Sequence, residues 1–223
     1  QGAFGNIFTA RDNETGLIYA VKNESLSSER KSLKFEYKIL RRIQGVNYFP
    51  KLFDYGETKN LSFCVIELIG PSLSSIIKSL PERKFSLSTG IRASKHVLHA
   101  IKSLHILGFI HRDIKPANIL VRIQHSPPIC LIDFGLVRIY RDQKTGKHEA
   151  QRMKSGFRGT KTYASLNAHL QNDLSRRDDM VSWFYFMLDI MSPGLPWKSL
   201  PSAVDVAVMK EEFNVSEFVS EYL

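Results

Sequence analysis

The densest chemistry in the chain lies in one octet. His111-Arg112-Asp113-Ile114-Lys115-Pro116-Ala117-Asn118 is followed, twenty residues after Asp113, by Asp133-Phe134-Gly135. These residue types suit phosphoryl transfer, which asks a protein for little covalent chemistry. It needs a carboxylate to orient the attacking hydroxyl, oxygen ligands for a divalent cation, and cations around the phosphates. Asp113 suits the first task. Asn118 and Asp133 supply the oxygens that hard Mg²⁺ prefers. Lys115, two residues after Asp113, can reach the transferring group. An Asp-Phe-Gly tripeptide alone occurs by chance, but its distance from His-Arg-Asp and Asn118 makes the combination specific. The intervening stretch reads as a hairpin, with Ile119-Leu120-Val121 and Cys130-Leu131-Ile132 flanking Pro127-Pro128.

Other elements must hold these residues in place. Ile7-Phe8-Thr9-Ala10 and 17–21 read as strands joined by the turn Asp12-Asn13-Glu14-Thr15-Gly16. Residues 28–42 read as a helix, with Leu33, Tyr37, Leu40 and Ile43 on an apolar stripe. Glu36 lies within that stripe, where a half-buried carboxylate needs either water or a partner. Strands are expected around 51–55 and 61–68. Gly70-Pro71-Ser72 then punctuates the chain. Residues 88–107 predict a long helix with Ile91, Leu98, Ile101 and Leu104 on one face, ended by Gly108. Residues 180–191 are apolar nearly all round, which predicts a buried helix. A small strand-rich region, 1–69, therefore precedes a larger helical one, 70–223.

Composition bounds the function classes. The chain has 223 residues, 43% hydrophobic and 24% charged, so it has material for a core and is not disordered as a whole. Its apolar runs fall short of the ~20 residues a spanning helix needs. Cys64 and Cys130 both sit in apolar runs, read as core residues, and suit a reducing compartment. The net charge of +9 comes from scattered clusters at Arg41-Arg42, 152–161 and Arg176-Arg177. With no basic run interleaved with aromatics, nucleic acid is not the expected partner; acidic or phosphorylated protein is. His96, His99 and His105 share a helix at tempting spacings, but no cysteine or carboxylate cluster supports a zinc site. The chain opens mid-loop and closes inside an apolar pattern, so a fragment cut at both ends is expected.

On the residues just quoted the sequence resembles the eukaryotic protein kinases over essentially its whole length. The resemblance implies a two-lobed α+β fold, with the first strand and the last helices lying outside the chain. It also implies ATP and Mg²⁺ as cofactors. Tyr19-Ala20-Val21-Lys22 is similar to the family's Ala-x-Lys strand motif; Lys22 then contacts phosphates and pairs with Glu36, which accounts for the carboxylate in the stripe. Gly2-Ala3-Phe4-Gly5 resembles the end of a glycine-rich phosphate loop, adding Gly2, Phe4 and Gly5 to the nucleotide site. Glu67 and Ile69 are expected to bond adenine through the backbone, with Ile66 behind the base and Ile7, Ala20 and Leu120 against the ring. Thr160 is expected beside Asp113 and Lys115, a pattern of the Ser/Thr enzymes. Asp179 is expected to accept backbone bonds near His111-Arg112, and Leu40, His111 and Phe134 to stack between the lobes.

Finer features resemble the casein kinase I group. These are Glu67-Leu68-Ile69-Gly70-Pro71-Ser72-Leu73, Ser165-Leu166-Asn167 in place of Ala-Pro-Glu, and Ser175-Arg176-Arg177-Asp178-Asp179. The segment 155–160 with Tyr163-Ala164-Ser165-Leu166-Asn167-Ala168-His169 is closest to the tau-tubulin kinase branch. The implied function is a serine/threonine protein kinase, cytoplasmic or nuclear. It is expected to be active without loop phosphorylation, because the loop carries Arg152, Lys154, Arg158 and Lys161. Arg158, Lys161 and Thr162 are candidate substrate or anion contacts. Thr162 stands where the group typically has a phosphate-holding arginine, so a weak preference for phosphorylated substrates is expected. The competing class is a pseudokinase scaffold, but Lys22, Glu36, Asp113, Lys115, Asn118 and Asp133 are all present. Sequence fixes neither the protein substrate nor the oligomeric state.

Overall fold

The structure, a computed structural model, describes residues 6–28 and 32–222. Two strands open it, β1 (Asn6–Arg11) and β2 (Ile18–Ser25), paired antiparallel with Ile7 opposite Lys22. The expected turn joins them: Asp12 Oδ1 accepts from the N–H groups of Glu14 and Thr15 at 2.8 and 2.9 Å. Helix α1 (Leu33–Ile43) follows, then β3 (Leu52–Glu57) and β4 (Leu61–Glu67). The strands form a sheet in the order β1–β2–β4–β3.

The buried face of β2 carries Ala20, Lys22 and Glu24 at alternate positions, as the two-residue strand period requires. Two charges on a buried face need partners, and α1 supplies both. Lys22 reaches Glu36. Glu24 caps the helix start, accepting from the Ser32 N–H and hydroxyl at 2.9 and 3.1 Å and from the Leu33 N–H at 3.1 Å. A carboxylate at the positive end of a helix dipole is favourable. The helix therefore starts at Leu33 rather than at 28: Ser28 still turns back to Ser25, and residues 29–31 lie outside the described part. Leu33, Ile39, Leu40 and Ile43 are buried on the same face of α1 as Glu36, so the carboxylate lies within the apolar stripe.

Residues 68–72 lead to the helical lobe. It comprises α2 (Leu73–Ser79), α3 (Leu87–Ile106), β5 (Phe109–Ile110), β6 (Ile119–Val121), β7 (Ile129–Leu131), β8 (Arg138–Ile139), α4 (Leu166–His169), α5 (Arg176–Met191), α6 (Ala203–Glu211) and α7 (Val215–Tyr222). Strands β6 and β7 form the expected hairpin, and β5 pairs with β8. On α3 the buried stripe runs Ser94, Val97, Ala100, Ile101, Leu104. Ile101 and Leu104 are on it as expected, but Ile91 is 52% exposed and Leu98 only half-buried. Small residues displace them because α3 packs closely on α5: a Cβ at Gly90 would lie 2.1 Å from Met191 Cγ. From Asp178 to Ser192 no residue of α5 or its end is exposed, the buried helix the composition predicts.

This is the two-lobed α+β architecture implied by the sequence. The main core, running from α1 through Phe134 to α5, spans both lobes. Among the described residues no helix is long and apolar enough to cross a membrane.

Candidate active site

Four polar side chains converge at the start of β6. Asp113 Oδ1 accepts from the Thr160 hydroxyl at 2.7 Å. Its Oδ2 accepts from Lys115 Nζ at 2.7 Å and from Asn118 Nδ2 at 3.2 Å. Lys115 Nζ also donates to Thr160 Oγ1 at 2.9 Å, and Asn118 Nδ2 to the Asp113 carbonyl at 2.9 Å. Asp113 is buried, with Lys115 half-exposed. A carboxylate held from both oxygens in this way cannot rotate freely.

The loop bearing Asp113 is fixed from below. Asp179, in the first turn of α5, accepts from the His111 and Arg112 N–H groups at 2.8 and 2.7 Å, as expected. His105 Nε2 lies 2.8 Å from the same carboxylate. His99 turns instead toward the Tyr48 hydroxyl at 3.3 Å, so the helix histidines serve separate contacts. The His111 ring packs edge-on to Phe134 at 5.7 Å between centroids. Leu40 is buried in the same core as Phe134.

A second group faces this cluster from the strand-rich lobe. Lys22 Nζ lies 2.5 Å from Glu36 Oε2 and 3.8 Å from Asp133 Oδ1. Burial opposes the Lys22 ammonium, but Glu36 and Asp133 outweigh it and raise its pKa. Burial likewise pushes the Glu36 carboxyl up, so Glu36 relies on Lys22 to stay ionised. Its Oε1 also accepts from the Phe134 N–H at 3.3 Å, which ties α1 to the residue after Asp133. Asp133 sits at φ +67°. Apart from Lys22, the contact of its carboxylate among the described residues is a long bond from the Gly135 N–H, 3.4 Å. An acidic group so lightly bound, with the carbonyl-type oxygen of Asn118, fits Mg²⁺, which takes few protein oxygens and keeps water and phosphate for the rest.

The connection between the lobes has a clamp that sequence reasoning missed. Arg122, at the end of β6, donates to both Glu67 carboxylate oxygens at 2.8 and 2.6 Å. It also donates to the carbonyls of Asn47 and, at 2.9 Å, Phe49. Burial works against the Glu67 carboxylate, yet these bonds hold its pKa below the usual range. The Glu67 N–H is taken by the Lys51 carbonyl at 2.9 Å. Ala20 is opposite Ile66 in the sheet, and Leu120 bridges to Ser72. Ile7 lies on β1, 62% exposed. Gly2, Phe4 and Gly5 lie outside the described residues.

The substrate-side candidates have backbone partners in the structure. Lys161 Nζ donates to the Leu200 and Pro201 carbonyls at 2.6 and 2.8 Å. Arg152 is bound to Asp173 at 3.2 Å, and Arg138 pairs with the same carboxylate. Arg158 is exposed and donates to its neighbour's carbonyl, Phe157, at 2.9 Å. The carbonyl of Thr162 accepts from the Trp197 indole N–H at 2.8 Å. Arg112 lies amid these cations: burial first, then Arg152, Arg158 and Arg138, brings its pKa down to about 10. Gly159 allows the segment to approach. Its φ is +101°, and a Cβ there would stand 2.6 Å from the Arg112 carbonyl, so only glycine delivers Thr160 to Asp113. Ser165 and Asn167 donate to Asp178 Oδ1 at 2.7 and 3.0 Å, fastening the segment's far end.

Comparison with known proteins places the chain in a family. The family model for the protein kinase domain matches residues 1–219. The chain is 33% identical over 223 residues to a probable serine/threonine-protein kinase of Dictyostelium discoideum, an alignment that covers 99% of this chain and 45% of that protein. The chain thus spans about half the length of this curated relative.

Proposed function

Because this chain belongs to the protein kinase domain family, we propose that it is a serine/threonine kinase of the casein kinase I group, closest to the tau-tubulin branch, moving the γ-phosphoryl group of ATP to a hydroxyl of a protein substrate. The observation that carries this reading is the Asp113–Lys115–Thr160 triangle. It presents a carboxylate, a cation and a small hydroxyl at one point, beside two oxygen ligands.

Each residue's proposed role follows from its surroundings. Asp113 accepts the proton side of the substrate hydroxyl and aims its oxygen. Lys115 offsets charge on the moving phosphoryl group, and Thr160 keeps Asp113 and Lys115 in register. Lys22, steadied by Glu36, holds phosphate oxygens. Mg²⁺, which protein kinases use with ATP, would sit on Asn118 and Asp133 and neutralise phosphate charge. The carbonyl of Glu67 and the N–H of Ile69 would meet adenine, with Ala20, Ile66, Leu120 and Ile7 around the ring and Gly2, Phe4 and Gly5 over the phosphates. We place the lobe division at 69/70 and expect a cytoplasmic or nuclear enzyme.

For the substrate we propose protein segments with acidic residues, phosphorylated ones being only weakly preferred. Arg158 is the exposed cation beside the cluster, while Thr162 lacks the charge for a bidentate phosphate contact. A scaffold without turnover has little in its favour, since every residue of the phosphotransfer set is present.

The test is transfer of labelled γ-phosphate to serine in casein and in acidic peptides, with Asp133→Asn as the comparison. The reading expects transfer to serine that the folded Asp133→Asn protein loses. Turnover within about tenfold of wild type in that variant would contradict it, because an amide cannot offset the metal's charge.

A further inference from the structure

Lys210, on α6, is 4% exposed, and among the described residues its ammonium forms no ion pair. A buried lysine without a carboxylate is unusual, since burial penalises the charge unless other groups replace water. Here neutral groups do so. Nζ donates to the Lys161 carbonyl at 2.7 Å and the Ala164 carbonyl at 2.6 Å, and lies 3.3 Å from His169 Nε2 on α4. It also stands over the rings of Tyr185 and Trp197, at 5.0 and 5.4 Å. Asp189, the acid on neighbouring α5, is occupied by Tyr163 and Lys198 at 2.7 and 2.6 Å. The Lys161 ammonium is turned to the Leu200 and Pro201 carbonyls.

The two carbonyls that Lys210 holds bracket one turn. Tyr163 and Ala164 both donate their N–H to the Thr160 carbonyl at 2.9 Å. Thr160 is the residue whose hydroxyl bonds Asp113 and Lys115. Lys210 therefore grips, from the core side, the turn whose other end lies in the phosphotransfer cluster.

We propose that Lys210 is a positioning residue for peptide phosphorylation: it fixes the 160–164 turn, and with it Thr160 and the surface that meets the substrate, without taking part in nucleotide binding. The inference rests on the catalytic reading of Asp113 and Thr160 given above. Burial brings the Lys210 pKa down to about 7, and His169, the adjacent titratable group, is lowered too, by burial first and then by Lys210. Loss of the proton removes the charge and one donor from the grip. Peptide kcat/KM should therefore fall as pH rises through that region. Folding stability moves the other way. A lysine pKa lower in the folded than in the unfolded chain means that the unfolded chain binds more protons above it, so stability rises with pH. A purely structural lysine would not split the two.

The experiment compares wild type with Lys210→Met, using an unphosphorylated serine peptide free of histidine, and Asp113→Asn as control. Lys210→Met should lower peptide kcat/KM by about ten- to a hundredfold with Mg-ATP affinity, read by thermal shift, unchanged. In wild type, peptide kcat/KM should fall between about pH 6 and about pH 9 while its melting temperature rises relative to Lys210→Met. This second measurement on wild type decides the matter even if the Met variant folds poorly: a flat profile overturns the inference. Peptide kinetics of Lys210→Met within about twofold of wild type, or an equal loss of nucleotide affinity, overturns it as well. A dead Asp113→Asn beside a normal Lys210→Met sinks this inference alone. A fully active Asp113→Asn sinks the catalytic reading and this inference together.

Discussion

The cleft between the lobes and the 160–164 segment solve one problem, holding charged side chains out of water, in opposite ways. In the cleft, charge meets charge: Lys22 with Glu36 and Asp133, Lys115 with Asp113, Arg122 with Glu67. Along the segment, two lysines rest on backbone carbonyls, Lys161 on Leu200 and Pro201, Lys210 on Lys161 and Ala164. Opposite charges in low dielectric lock strongly, but each partner is stranded when the other is lost. Carbonyls bind a cation more loosely and keep its identity out of any side-chain pattern. The cleft is thus built to be rigid. The segment is built to be held in place by the fold around it.

The largest effect should come from breaking the cleft at its centre. Asp113→Asn keeps the shape but not the charge, and kcat should fall by about 10²–10⁴ in a folded protein that still binds Mg-ATP. Next is Lys22→Met, which leaves Glu36 buried without its cation. A stranded buried group costs about 1–3 kcal/mol, read as a drop in thermal stability alongside the lost activity. Adding Glu36→Gln should return much of the stability and none of the activity, which separates the pair's two duties.

On the segment side the effects should be smaller. Gly159→Ala forces a Cβ toward the Arg112 carbonyl and should cost on the order of 1–3 kcal/mol in backbone strain, with kcat reduced as Thr160 shifts. A chemical melt and initial rates check both. Thr162→Arg adds a charged fork and should raise the kcat/KM ratio of a phosphorylated peptide over its unphosphorylated twin by roughly tenfold; an unchanged ratio would mean that other residues hold the phosphate. The smallest effect is none. Phosphatase treatment should leave most activity intact, because Asp173 already holds Arg138 and Arg152 in place by ion pairs. A fall to a few per cent would show that Asp173 does not suffice.

The same contrast explains what could be read from the sequence. The cleft's residues have fixed spacing because the loop and hairpin are short: Asp113, Lys115 and Asn118 lie within six residues, and the β6–β7 hairpin sets the distance to Asp133. The Glu36 carboxylate announced itself by interrupting an apolar stripe. Tertiary packing moved the α3 stripe, since close contact with α5 favoured Gly90 and Ser94 over Ile91. The carbonyl partners of Lys161 were not legible, because a lysine in a turn says nothing about which backbone of the following segment will reach it. Arg122 and Lys210 left no trace, because their partners are carbonyls or residues 46 to 75 positions away. Glu24 was legible in principle: it lies two residues past Lys22, on the same strand face, before a helix whose N-cap serine makes no capping bond.

The division of labour between the two regions is tested most directly by measuring Mg-ATP affinity and peptide kcat/KM side by side in Lys22→Met and Lys210→Met. The account predicts that Lys22→Met weakens nucleotide binding, whereas Lys210→Met leaves it intact and loses only peptide phosphorylation. Equal loss of nucleotide affinity in both, or undisturbed nucleotide binding in Lys22→Met, would contradict it.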